Sequence, residues 1–157
     1  LRLVRGISLS VLSWTSHFNS AIIAGKMSYE LDIKKEKNYL YIRASGNRTR
    51  DGIASMAREV IESCHKYQIY EVLVDLRDLK GPMGIFDSLW IVTKEFPKLT
   101  DLKAIKKAAV MNAKERKERS GFFEQIAIKR GYNIRFFDEL TPAIEWLKSG
   151  KPVTSTV

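Results

Sequence analysis

The run EVLVDL at residues 71–76 constrains the chain most. It is short, rich in β-branched residues and apolar on both alternating faces, as expected of a central strand buried within a sheet. Flanking it, the hydrophobic period switches repeatedly between two and about 3.6 residues, and that switching predicts the order of elements. Upstream, alternation in YELDIKK (29–35) and YLYIRAS (39–45) predicts two strands joined by a turn around Glu36 to Asn38. After Gly46 and Asn47, Thr49 is placed to cap a helix on which Ile53, Met56, Ala57, Val60, Ile61 and Cys64 recur every three or four residues.

Downstream, the glycines and Pro82 end the central strand, and a helix is predicted from Ile85 to about Phe96, stopped by Pro97. IKKAAVMN (105–112) reads as the next strand. The charged run AKERKERS (113–120) leads into a third helix in GFFEQIAIKRG (121–131), with Phe122, Phe123, Ile126 and Ala127 as its apolar residues and Gly131 as its stop. YNIRFFD (132–138) is the last strand. Thr141 and Pro142 then suit the cap and first turn of a final helix with Leu140, Ile144 and Leu147 as its stripe. The predicted order is β-β-α-β-α-β-α-β-α, an α/β fold whose mixed, mainly parallel sheet opens with an antiparallel hairpin.

Composition narrows the function classes. At 157 residues the chain suits one domain with a sizeable core. Cys64 is the one cysteine, which excludes an intramolecular disulfide and fits a reducing, cytoplasmic setting. With His17 and His65 as the two histidines, no zinc-like spacing occurs, and no cofactor or metal is expected. The net charge of +9 raises anionic partners, but Arg2, Arg5 and Lys26 supply part of it in a segment without acids. The remaining 24 bases interleave with 18 acids, which argues against nucleic acid as a partner. Residues 1–26 are read as a leader or extended start, 27–150 as the domain and 151–157 as a frayed tail.

Three stretches carry a resemblance: VLVDLRDLKG (72–81), KKAAVMN (106–112) and YNIRFFDELTPAIEWL (132–147). With the order of elements, they make residues 28–149 resemble the SpoIIAA-like group of the STAS-like superfamily, the fold of bacterial anti-sigma-factor antagonists. The resemblance implies a regulatory or ligand-binding domain. It also implies a phosphorylatable serine at the start of the second helix, in an Asp-Ser-Ser/Thr-Gly motif. Here the nearest text is Asp87, Ser88, Leu89, Trp90, without the glycine or second hydroxyl and after a longer loop. Ser88 is the matching candidate phosphoacceptor.

The candidate site lies at the junction after the central strand. Asp75 and Asp78 stand where open α/β sheets place ligands. A carboxylate pair there suits a hard cation or acid–base work, although turn hydrogen bonds and ion pairs with Arg77 account for the same residues. Gly81 and Gly84 flank Pro82 before a helix start that can receive an anion, without the lysine of a phosphate loop. Cys64 reads as a core thiol, and His65, adjacent on the helix, does not face it.

The second helix is apolar nearly all round. Leu89, Val92 and Phe96 fall on the face of Ile85, Phe86 and Trp90 lie toward the opposite side, and Ile91 lies on the other flank. The surplus predicts a contact surface with Phe86, Trp90 and Ile91 as apolar anchors beside Asp75, Asp78, Gly81 and Gly84. The basic run Lys114, Arg116, Lys117 and Arg119 reads as a solvated helix start or, with Phe122 and Phe123, as a handle for a membrane surface or an acidic partner. The leading expectation is a non-enzymatic regulatory domain that engages a protein partner or a second copy of itself. A carrier or sensor of a small apolar or lipid-like ligand between the second helix and the sheet comes next, and a hydrolase-like enzyme using Asp75 and Asp78 third.

Overall fold

The computed structural model describes residues 29–150. The leader at 1–26 and the tail at 151–157 therefore lie outside the described residues. Strands β1 (Tyr29–Lys35) and β2 (Leu40–Asn47) form the antiparallel hairpin. Strands β3 (Glu71–Lys80), β4 (Lys107–Met111) and β5 (Ile134–Phe137) add in parallel, and the sheet order is β1-β2-β3-β4-β5. Each parallel step is bridged by helix: α1 (Arg50–Tyr67), α2 (Ile85–Trp90) and α3 (Lys117–Lys129). Helix α4 (Leu140–Lys148) closes the domain.

Two apolar layers result. Val72, Leu76 and Leu79 of β3 face Met56, Val60 and Cys64 of α1 and Ile91, Val92 and Phe96 beyond α2, while Leu73, Ala109 and Met111 face Ala143, Trp146 and Leu147 of α4. That arrangement is why β3 is apolar on both sides. Lys107 ties α4 to the sheet by donating to the carbonyls of Trp146 (2.7 Å) and Ser149, where a cation is favourable at a helix carboxyl end.

Thr49 caps α1 as expected, its Oγ1 accepting from the Gly52 N–H at 2.9 Å. Other expected boundaries shift. Helix α3 begins at Lys117, inside the charged run, because that run has helix-forming Lys, Glu and Arg and needs no apolar face while it is solvent-exposed. Glu139, not Thr141, is the cap residue of α4. The α4 stripe is Ala143, Trp146 and Leu147, which leaves Leu140 exposed.

The second helix differs most from its expected form. It is α-helical only to Trp90, widens into a π-helical turn over Ile91–Glu95 and ends as a 3₁₀ turn around Pro97. The Phe96 N–H donates to the Ile91 carbonyl, five residues back. Phe96 therefore follows Ile91 around the axis, and the inward face runs through Ser88, Ile91 and Val92 to Phe96, with Ile85 and Leu89 outside it.

Candidate functional site

The side of the second helix that packs inward, through Ser88, Ile91 and Val92, decides which side chains the junction displays. Phe86 is 85% exposed and Trp90 42% exposed, and Ile85 and Leu89 are exposed beside them. Ile91, expected as a third anchor, is instead 0% exposed and belongs to the core, because the helix turns its Ser88, Ile91 and Val92 side toward the sheet. The Trp90 ring is held from two sides: Nε1 donates to Glu95 at 3.0 Å, and the Arg50 guanidinium lies 4.9 Å from its centroid. Arg119 reaches across from α3 to donate to the Met83 carbonyl at 3.3 Å. An apolar patch rimmed by arginines thus forms on the outer side of α2.

The aspartates do not join that patch. The β2–β3 register slips by one residue between Arg43 and Ser45, a β-bulge that turns Asp75 and Asp78 toward the same face of the sheet. Leu73 marks it as the face covered by α4, opposite α2. Asp75 is only 3% exposed, and β3 runs on to Lys80, so it sits within the strand and not at its end. Its carboxylate accepts from Arg77 Nε (2.9 Å) and Nη2 (2.7 Å), from the Arg77 N–H and from Tyr41 Oη. Burial alone would raise its pKa, but these donors outweigh burial and hold it below the usual carboxylate range. Asp78 pairs with Arg43. Both carboxylates are committed to arginines and lie within β3, short of the strand end where they were expected. Among the described residues no group of three or more His, Cys, Asp or Glu side chains is arranged to hold a metal ion.

The glycine turn also has its own partners. Gly81 adopts φ +110°, where a side chain would be strained, and lets the chain leave β3 sharply. The Gly84 N–H donates to Asp87 Oδ2 at 3.0 Å, so the expected anion position at this helix start is filled by the chain's own acid. Ser88 is buried, and its hydroxyl donates to the Gly84 carbonyl at 3.3 Å. A kinase would have to unwind α2 to reach it. Phe123, read as an apolar residue of the third helix and alternatively with Phe122 as a membrane handle, stacks edge-on with Phe96 and Phe136 in the core. Lys114, Lys117 and Arg119 are exposed and Arg116 is half-buried.

Residues 39–148 match a family model described as SpoIIAA-like. The chain belongs to the SpoIIAA-like family. In keeping with that assignment, its fold is similar to the crystal structure of an anti-sigma factor antagonist from Mycobacterium paratuberculosis, with a TM-score of 0.51 and 11% identity over 78% of this chain and 96% of that one. A protein with a SpoIIAA-like fold from Shewanella loihica is also similar, at a TM-score of 0.46 and 21% identity over 76% of this chain and 93% of that one. No curated protein sequence matches the chain. Among the described residues, no helix of this SpoIIAA-like domain is long and apolar enough to cross a membrane.

One residue of the SpoIIAA-like domain escaped the sequence reading altogether. Arg48 follows β2 and is only 7% exposed. Its Nη2 donates to the carbonyls of Leu76 (3.4 Å) and Leu79 (3.2 Å) and to Asn112 Oδ1 (3.2 Å), and Asn112 in turn donates to Ser120 Oγ at 2.8 Å. Its Nε is buried without a partner. Burial, then the charge of Arg116, push this guanidinium down to about 10. In the sequence, Arg48 is one base among many; its only distinguishing sign is its place between a strand end and a helix cap.

Proposed function

We propose that this protein is a non-catalytic regulatory domain that docks a protein partner on the outer face of α2. The exposure of Phe86 together with Ile85, Leu89 and Trp90 carries the reading, because four large apolar side chains on one short helix keep a patch wet that a partner would cover. Trp90 is held in place by Glu95 and Arg50, so little freedom remains for binding to remove. Arg50 and Arg119 at the rim, with exposed Lys80, favour an acidic partner. The turn at 81–84 borders the patch and offers backbone contacts. Membership of the SpoIIAA-like family, and similarity in fold to an anti-sigma factor antagonist, support a role in protein-based regulation.

The test compares the full chain with a Phe86→Ala/Trp90→Ala double variant and with Glu145→Ala, an exposed α4 position, as the control. Each is immobilised against lysate of the source organism and examined by sedimentation for self-association. A protein held by the wild type and the control but lost by the double variant supports the reading, as does a dimer lost the same way. Identical bound proteins and identical sedimentation for all three would overturn it.

A further inference from the structure

Between the sheet and helices α1 to α3 lies a cavity of about 130 Å³. Its body is apolar, with Val72, Val74 and Val110 from the sheet, Met56 and Val60 from α1 and Phe123 from α3. Its polar lining comes from Arg48, Ser88, Asn112, Arg116, Arg119 and Ser120, and every one of these follows the carboxyl end of a parallel strand in the chain. The cavity therefore has an apolar body and one polar end that holds three arginines and no acid.

Arg48 shows what that end lacks. It is more than nine-tenths buried, yet no carboxylate lies within ion-pair distance of it among the described residues. Its neutral partners all sit on Nη2, and Nε is left buried and unbonded. A cation taken out of water this far is costly unless an anion and its hydrogen bonds accompany it. The other buried cation among the described residues, Lys107, has its ammonium satisfied by the carbonyls of Trp146 and Ser149 at the carboxyl end of α4. Arg48 instead keeps a buried Nε without a partner, at a place where a cavity offers room for a counter-ion from outside the chain.

Size and chemistry then define the occupant. An apolar cavity of about 150 Å³ takes up a benzene-sized molecule, so this one suits a single ring or a short alkyl chain. We propose that the cavity binds a small amphiphilic carboxylate, with an apolar body of about six to eight carbons between the sheet and α1 and its carboxylate paired with Arg48 near Arg116 and Arg119. The cavity lies on the inner side of α2 and the docking patch on its outer side, with Arg119 bordering both. The two can fail independently.

The experiment uses the full chain with methyl-labelled methionine and observes the methyl resonances by NMR. Met56 and Met83 line the cavity, whereas Met111 packs against α4 on the other face of the sheet and serves as an internal control. Octanoate and benzoate should shift Met56 and Met83 saturably and leave Met111 in place. Octanol, of the same length without the charge, should bind at least about tenfold more weakly. In Arg48→Met the octanoate affinity should fall to that of octanol, while Arg48→Lys keeps part of the preference. Absence of saturable shifts at millimolar octanoate and benzoate would overturn the proposal. So would equal binding of octanol and octanoate by the wild type, a comparison that requires no variant to fold. Inorganic phosphate that reproduces the shifts and displaces octanoate would reduce the site to a simple anion pocket and overturn the amphiphile assignment.

Discussion

Replacing Ile91 and Phe86 separately by alanine tests the phase of the second helix and, with it, the position of the docking patch. Ile91 is fully buried, and its truncation removes three carbons worth about 0.8 kcal/mol each in transfer free energy. A void of some tens of Å³ that fails to collapse adds about 1–2 kcal/mol at ~24 cal/mol per Å³. The expected loss is therefore about 3–4 kcal/mol, or a fall of roughly 10 °C in Tm for a domain of this size. Phe86, five residues earlier on the same helix, projects into water, and its truncation should change stability by no more than about 0.5 kcal/mol. Urea unfolding followed by far-ultraviolet circular dichroism measures both. A regular helix with the face expected from its spacing would leave Ile91 on a flank and lower its cost. Equal losses for the two variants, or a loss above about 2 kcal/mol for Phe86→Ala, would refute this inward face of the helix and the patch built opposite it.

Two further outcomes follow from the buried groups. Because folding lowers the pKa of Asp75, its contribution is fully present above the unfolded carboxylate value near ~3.9 and is lost as pH falls through the lower native value. Between about pH 4 and pH 2 the wild type should thus lose urea stability faster than Asp75→Asn, by on the order of 1 kcal/mol since Arg77 is half exposed; parallel pH profiles would sink the claim. Burial, with a smaller contribution from Glu71, pushes the Cys64 thiol up to about 12, so a thiol reagent at pH 8 should label the native chain only at the rate of unfolding and the urea-unfolded chain at once. Fast stoichiometric labelling of the native protein would place Cys64 outside the core.

The elements whose residues repeat with a single period were legible from the chain. YELDIKK and EVLVDL are found in strands, and the Met56, Val60, Ile61 and Cys64 stripe of α1 is buried under the Thr49 cap. The candidate site was legible only in part. Phe86 and Trp90 were expected outside and stand there, but Ile91 was placed with them because the spacing centres the inward face on Ile85, whereas in the structure that face runs through Ser88, Ile91 and Val92. Asp75 and Asp78 were placed at the end of the third strand because the bulge and the extension of β3 to Lys80 leave no mark in the residue pattern.

The sequence by itself determined the element order, the mixed sheet and the excess of apolar surface on the second helix, since period, caps and breakers act between residues close along the chain. Only the tertiary structure decided where that surface points, because the sheet and neighbouring helices select which side of a helix that is apolar nearly all round is buried. It also decided that Arg48, flanked by Asn47 and Thr49 in the chain, is buried against Leu76, Leu79 and Asn112 at the polar end of a cavity. A buried charge acquires its meaning from the absence of an anion around it, and that absence is a property of three-dimensional neighbours alone.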